Sequence, residues 1–121
     1  MAASHPKQNP ELAHALVELR RAARDHSAPV WAAVARRLER GRHQVPPVRV
    51  GQLERASGGR EVVVVPGTLL ADGEIARPIT VAAFRCSATA RAKVHAAGGR
   101  VLTLHELLQW RPDGSGVTIV A

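Results

Sequence analysis

The strongest constraint on the fold is a pair of aliphatic, β-branched runs in the second half of the chain. Glu61–Val65 contains four consecutive valines, and Ile79–Phe84 is a second run of similar character. Such residues fit a pleated, packed surface, so each run predicts a buried strand. Because Trp31, Trp110 and Phe84 are the only aromatic residues, the core must be aliphatic.

Helix and turn signals surround these two strands. Pro66-Gly67 and the Asp-Gly pair within Ala71–Glu74 predict turns. Further elements are a helix capped by Ser87 and ended by Gly98-Gly99, a strand at Arg100–Leu102, a helix opened by the Thr103 and Glu106 capping box and running through Trp110, and a strand at Val117–Val120. Strands that alternate with helices and turns indicate an α/β fold.

Two further helices are predicted in the first half of the chain. Asn9-Pro10 is a helix start, and Ser27 with Pro29 opens a second helix that ends near Gly41. Residues 42–51 are predicted to form an extended loop around Pro46-Pro47, and a short helical turn covers Gln52–Ala56. We expect a disordered tail over 1–8 and one domain over 9–121, with a basic helical part at 9–58 and an α/β core at 59–121.

Charge is distributed unevenly along the 121 residues. The formal net charge is +7, and residues 1–60 contribute +6 of it. Fifteen of the 17 basic residues are Arg, whose planar, forked guanidinium suits phosphates. This asymmetry indicates a basic face for nucleic acid or an anionic membrane, or simply a solvated basic surface. The sequence has no apolar run near the roughly 20 residues of a membrane span and no signal-peptide core.

The stretch from Arg36 to Arg55 is the main candidate for a nucleic-acid contact. It places six Arg and one His against only Glu39 and Glu54. The candidate residues are Arg36, Arg37, Arg40, Arg42, His43, Arg49 and Arg55. Helical spacing places the first three opposite a buried arc that includes Trp31. Because exposed aromatic rings are scarce, folded RNA is a better partner than a single strand.

Two other segments have two interpretations each. Arg20, Arg21 and Arg24 lie on one flank of the first helix, either facing RNA or forming a solvated face with pairs such as Glu18–Arg21. Gly114, Ser115 and Gly116 either present backbone N–H groups to an anion or form a plain loop.

Enzymatic signals are weak. The chain has no nucleotide-binding glycine motif, no helical His pair at zinc-binding spacing, and a single cysteine, Cys86. Cys86 follows a buried strand, so we expect an inert core thiol. We therefore expect no enzyme, no cofactor and no metal.

Taken together, four segments resemble a known family. They are Val63–Gly67 through Ile79–Phe84, Ala96–Arg100, Gly114–Val117, and the Ala28–Trp31 opening. In this order and spacing, the chain resembles the archaeal and eukaryotic large-subunit ribosomal protein L-eighteen-e, a relative of bacterial ribosomal protein L-fifteen. The absence of a long basic C-terminal tail favours the archaeal type.

The resemblance implies a non-catalytic protein on the ribosome in the cytoplasm, with an irregular, superhelical strand-and-helix core. It implies large-subunit ribosomal RNA and neighbouring large-subunit proteins as partners, with no membrane and no small-molecule substrate. Carried over by position, Arg40, Arg42, His43 and Arg49 would touch RNA. The alternatives are a free-standing nucleic-acid architectural protein and a small RNA-modifying enzyme.

Overall fold

A computed structural model describes residues 10–40 and 46–121 and shows a parallel sheet with helices on both faces. The described helices are α1 (Pro10–Asp25), α2 (Pro29–Glu39), α3 (Val50–Ala56), α4 (Ala88–Ala96) and α5 (Leu104–Trp110). The described strands are β1 (Val48–Arg49), β2 (Val62–Leu70), β3 (Thr80–Cys86), β4 (Arg100–Leu102) and β5 (Val117–Ile119). The predicted α/β class is confirmed.

The sheet is centred on β2, the longest strand. One edge of β2 pairs with β3, which in turn pairs with β4. Its other edge pairs with β5 near the start of the strand and with β1 near the end. All of these pairings are parallel, so the amino ends of the strands lie at one end of the sheet and the carboxyl ends lie at the other.

The valine run of β2 supplies both faces of the sheet. Successive side chains of a strand point to opposite faces. Val63 and Val65 join a core with α3 and α4, whereas Val62 and Val64 join a core with α1, α2 and α5. A strand buried on both faces needs a continuous apolar run, which explains the unbroken valines.

The predicted turn at Pro66-Gly67 is wrong, because both residues lie within β2. The pairing with β3 shifts register between Val65 and Thr68, which marks a bulge. On the opposite edge, β5 pairs only as far as Val64 and β1 begins at Leu69. Pro66 therefore lies in the gap between two partners, where its missing N–H interrupts neither ladder.

The predicted turn at Asp72-Gly73 is a bend with a Gly73 φ of 91°, but it does not join two antiparallel strands. Because β2 and β3 are parallel, the segment 71–79 runs back along the sheet as a crossover. Three helix residues hold this crossover. The Gly51 N–H donates to the Asp72 carbonyl at 2.9 Å, and the Lys93 ammonium donates to the Ala71 and Gly73 carbonyls at 2.8 and 2.7 Å. Glu54 accepts from the N–H groups of Ala76 and Arg77 at 2.5 and 3.0 Å.

Most helix signals in the second half are confirmed. The Ser87 hydroxyl accepts from the Ala90 N–H at 3.1 Å, and Gly98 ends α4 with a φ of 90°. Thr103 and Glu106 form both bonds of the predicted capping box. In these helices, local side-chain chemistry and tertiary packing favour the same boundaries.

The first half needs two corrections. Ser27 does not cap α2, because it follows α1 with a φ of 48°, and Ala28 is the residue before α2. The extended loop predicted at 42–51 is replaced from Val48 onward by β1 and the start of α3. Pro46 and Pro47 have no regular secondary structure, as predicted, whereas 42–45 and the predicted tail at 1–8 lie outside the described residues. No described helix combines the length and apolarity that crossing a membrane requires.

Candidate nucleic-acid interface

Helix α2 presents a row of guanidinium groups on the side away from the core. Trp31, Val34, Ala35 and Leu38 are buried, as predicted. Arg36 and Arg40 are exposed and Arg37 is half-buried. None of these three Arg side chains forms an ion pair with another described residue. Their positive charge is therefore available to an external anion.

The acidic residue beside this row is neutralised by the neighbouring helix. Arg20 of α1 places Nη2 2.5 Å from Oε2 of Glu39, and both side chains are about half exposed. Glu39 would otherwise lie next to Arg40 and oppose an approaching anion. Arg20 thus joins α1 to α2 and leaves the end of α2 with a net positive charge.

The three Arg residues of α1 are all exposed and span about 100° of the helix circumference. Arg24 lies one turn after Arg20, and Arg21 lines a shallow hollow with Asp25 and Pro112. The Glu18–Arg21 pair suggested by the sequence is not found among the described residues. Glu18 instead lies 2.5 Å from Nδ1 of His105 and 3.6 Å from Nε2 of His14.

The end of α2 points toward the carboxyl ends of the strands. Glu11 at the start of α1 pairs with Arg85 near the end of β3 at 3.0 Å. The Trp31 indole N–H at the start of α2 donates to the Pro112 carbonyl at 2.8 Å, in the loop before β5. Helix α1 therefore runs from the carboxyl ends of the strands toward that loop, and α2 runs back in the opposite direction. As a result, Arg36, Arg37 and Arg40 lie toward the carboxyl ends.

Arg49 also lies at the end of the sheet where the strands have their carboxyl ends. It ends β1, which pairs with the last residues of β2, and its side chain is exposed. Its Nε is 3.5 Å from the exposed Asp72 carboxylate. An exposed pair of this kind contributes at most about 1 kcal/mol, so a phosphate can replace Asp72 at little cost. We call Arg36, Arg37, Arg40 and Arg49 the carboxyl-end surface.

Arg42 and His43 lie outside the described residues. Arg55 is exposed in the last turn of α3, about 9 Å along the helix from Arg49. The helix thus carries Arg55 away from the carboxyl-end surface.

The Gly114–Gly116 loop lies at the opposite end of the sheet, and two of its backbone N–H groups already bind acceptors in neighbouring residues. The Gly114 N–H donates to the Arg111 carbonyl at 2.9 Å, and the Ser115 N–H donates to Oδ1 of Asp113 at 3.1 Å. Both glycines have positive φ, 74° and 75°. Backbone conformation therefore accounts for the glycines, and an anion-binding role of the loop stays a prediction.

Three side chains near this loop form a cluster that the sequence prediction did not include. The guanidinium carbons of Arg100 and Arg111 lie 5.0 and 4.3 Å from the centroid of the Trp110 ring. Trp110 is 42% exposed. We call these three residues the Trp110 cluster. The only sequence signal for it was an aromatic residue at the end of α5, directly before Arg111.

Cys86 has no sign of activation as a nucleophile. Burial raises the pKa of its thiol, against weaker lowering by the charge and backbone N–H of Arg91. The described residues also contain no group of three His, Cys, Asp or Glu side chains placed to hold a metal ion.

The model of the family of ribosomal proteins 60S L18 and 50S L18e matches residues 2–121. The chain belongs to this family. The large ribosomal subunit protein eL18 of Methanopyrus kandleri is 47% identical over 117 residues, covering 93% of this chain and 92% of that protein. The eL18 of Pyrobaculum aerophilum is 50% identical over 102 residues, covering 84% of each.

The L18e family relationship confirms the resemblance inferred from the sequence. A third relative, eL18 of Halobacterium salinarum, is 36% identical over 94% of this chain. All three relatives are archaeal proteins of the large ribosomal subunit. The chain is therefore a ribosomal protein of archaeal type, while the contacts of its individual Arg residues are a matter for proposal.

Proposed function

We propose that this L18e protein stabilises folded large-subunit ribosomal RNA through its carboxyl-end surface. The observation that carries the proposal is the row of Arg36, Arg37 and Arg40 opposite the buried side of α2, with Glu39 neutralised by Arg20. Arg49 extends the surface from β1, and Arg42 and His43 connect the two parts along the chain. In this role the protein carries out no catalytic step.

Phosphate contact is the chemistry that such a surface favours. Each guanidinium that pairs with a phosphate releases condensed counterions, and arginine can bind phosphate oxygens through two parallel N–H donors. Contacts of this kind position a protein on RNA without reading its sequence. The carboxyl-end surface is made of guanidinium groups, so it suits the backbone of a folded RNA.

Other predicted residues have supporting roles in this proposal. Arg24 lies on the same side of α1 as Arg20 and extends the positive area, while Arg20 keeps α1 and α2 together. Arg21, Arg55, Gly114, Ser115 and Gly116 would meet RNA only if it also contacts other sides of the protein. We propose that residues 9–121 act as one domain on the ribosome in the cytoplasm, beside neighbouring large-subunit proteins, and that residues 1–8 form a tail.

The salt dependence of RNA binding tests this function. Arg36, Arg37 and Arg40 are changed together to Ala, and binding to deproteinised large-subunit ribosomal RNA is measured between about 50 and 200 mM salt. Each lost phosphate contact lowers the slope of log affinity against log salt by about 0.7–0.9, so we expect a total decrease of about two to three. All three side chains are at least partly exposed, so the variant should remain folded.

The matched control removes the same charge elsewhere. Arg60, Arg77 and Arg91 are exposed side chains outside the carboxyl-end surface. Their triple Ala variant should keep a slope within about one of the wild type. Equal slope changes in the two variants would indicate diffuse attraction and contradict a defined surface. Release of the protein from large subunits by a high-salt wash would favour the free-standing architectural alternative.

A further inference from the structure

The Trp110 cluster combines an exposed aromatic ring with two cationic side chains that contact it. Trp110 ends α5, Arg111 follows it directly, and Arg100 begins β4. Guanidinium groups at 4.3 and 5.0 Å from the ring centroid lie within the range of cation–π attraction. The cluster carries two positive charges, and the nearby Asp113 carboxylate accepts from the Ser115 N–H.

The fold, rather than the local sequence, assembles this cluster. Strand register aligns Arg100 with Thr80, Val62 and Val117, in the row where the strands begin. Helix α5 starts after β4 and runs back, so Trp110 lies at the same end of the sheet, where the strands begin. Arg111 is further held by a 2.9 Å bond from Nη1 to the Ser115 carbonyl. The guanidinium groups are thus oriented before any ligand arrives, which lowers the entropy cost of binding.

We propose that the Trp110 cluster is a second RNA contact, which takes a single unpaired nucleotide. The base stacks on the guanidinium–indole pair, and the N–H groups of Arg100 and Arg111 bind the adjacent phosphate. Unpaired bases of folded RNA stack on aromatic rings and on guanidinium planes in this way. A carboxylate of a protein partner would use the N–H groups but would leave the stacking surface unused.

This contact involves a different part of the RNA from the carboxyl-end surface. The start of α2 lies beside Pro112 and Gly114, next to the cluster, whereas Arg36, Arg37 and Arg40 lie toward its far end. The 11 residues of α2 rise about 16 Å. The protein therefore joins two RNA segments, backbone at one end and an extruded nucleotide at the other. The inference rests on the proposed RNA-binding function and adds the ligand of a second surface.

Trp110 fluorescence provides a direct test. The signal of Trp110 is obtained by subtracting the spectrum of the Trp110→Phe variant, since the other tryptophan, Trp31, is buried. The probes are an adenosine hexanucleotide, a blunt 16-base-pair RNA duplex and deproteinised large-subunit ribosomal RNA. We expect the hexanucleotide and the ribosomal RNA to quench Trp110, and the duplex to leave it unchanged.

Variants separate stacking from charge. Arg111→Lys keeps the charge but removes the planar group, so hexanucleotide binding should weaken several-fold. Trp110→Ala should weaken hexanucleotide binding about tenfold, in line with the loss of one stacked base. The triple Ala variant of Arg36, Arg37 and Arg40 should keep the hexanucleotide-induced quenching. Circular dichroism and thermal unfolding confirm that each variant is folded, and Arg111→Lys remains informative if Trp110→Ala is not.

The outcomes distinguish this inference from the proposed function. Ribosomal RNA that binds with normal affinity but leaves Trp110 fluorescence unchanged would overturn the second contact and leave the carboxyl-end surface intact. Quenching by an acidic peptide that equals quenching by the hexanucleotide would overturn it in favour of a protein partner. A wild-type protein that binds none of the RNA probes would contradict both proposals.

Discussion

The carboxyl-end surface and the Trp110 cluster are basic in different ways. In the first, Arg36, Arg37 and Arg40 are neighbours in sequence and project from one helix. In the second, Arg100 and Arg111 are separated by a strand and a helix and meet on one indole ring. The three Arg of α2 form no ion pair with a described residue, and only Arg49 of the same surface pairs with a carboxylate, that of Asp72. The Trp110 cluster is instead a stacked arrangement with fixed orientation.

The difference shows two ways in which a small protein can present positive charge. A helix needs only a buried arc and Arg at the remaining positions, and a row of such guanidinium groups suits an extended phosphate backbone. A cluster built by strand register has fewer charges but a defined shape, which suits one nucleotide. The following predictions test how far the two surfaces depend on shared and separate parts of the fold.

The largest effect is expected at the residue that supports both surfaces. Trp31 is fully buried under α2, and its indole N–H binds the Pro112 carbonyl beside the Trp110 cluster. Trp31→Ala leaves a large cavity and an unpaired carbonyl, so the free energy of unfolding should fall by about 3–5 kcal/mol. Urea denaturation measures this change.

The second tryptophan is the control for the first. Trp110 is 42% exposed, so Trp110→Ala should lower the free energy of unfolding by no more than about 1 kcal/mol. Trp110→Ala should nevertheless weaken RNA binding, because it removes a proposed ligand contact from a protein that stays folded. Similar losses of stability in the two variants would show that Trp110 is a structural residue, which would weaken the comparison between the surfaces.

A smaller effect is expected at Gly114, where the Gly114–Gly116 loop contacts α2. At Gly114, φ is 74° and an added Cβ would lie within 2.4 Å of Cγ1 of Val30. Gly114→Ala therefore combines backbone strain with a steric clash, and we expect a loss of about 2–4 kcal/mol. Thermal and urea unfolding measure the loss, and Trp110 fluorescence reports whether the cluster has changed.

A control at Gly58 separates backbone strain from the steric clash. Its φ is 62°, but an added Cβ would meet nothing within 4 Å. Gly58→Ala should therefore show only the strain of the left-handed conformation, about 1–2 kcal/mol. If both variants lose the same stability, the Val30 contact contributes nothing, and the loop is less tightly joined to α2 than the structure indicates.

These residues also show what could be predicted from sequence. Ser87, Thr103 and Glu106 predicted their helices because capping is local chemistry between residues three apart. The α2 surface was predicted for the same reason, since a 3.6-residue period places Arg36 opposite Val34 and Leu38. Features within one turn of helix are readable from the chain alone.

Features that depend on strand order were not readable. Pro66 looked like a turn residue, and only the gap between β1 and β5 makes it acceptable inside β2. Asp72-Gly73 was predicted to form a turn, and only the parallel pairing of β2 and β3 shows that this turn belongs to a crossover. Arg100 and Arg111 were missed as a site for the same physical reason, because their meeting point is set by the register of β4 and the return of α5.

The smallest predicted effect concerns acid and the crossover 71–79, whose Asp72 pairs with Arg49 of the carboxyl-end surface. Backbone N–H groups of Ala76 and then Arg77 hold the pKa of Glu54 below its ordinary value of about 4.5. A lowered folded-state pKa stabilises the protein fully above the ordinary value, and the contribution is lost as pH falls through the folded-state pKa. Glu54→Gln should therefore be less stable than wild type at pH 7, and the two stabilities should converge as pH falls through the lowered folded-state pKa of Glu54. Hydrogen exchange at Ala76 and Arg77 measures this locally, with Glu61→Gln, an exposed change outside the crossover, as the control. The Trp110 cluster meets this crossover only at its far end, where the Arg100 N–H donates to the Ile79 carbonyl at 3.2 Å among the described residues. Trp110 fluorescence should therefore stay constant when the Glu54 bonds to Ala76 and Arg77 are lost. A change in that fluorescence would mean that the crossover couples Glu54 to the cluster.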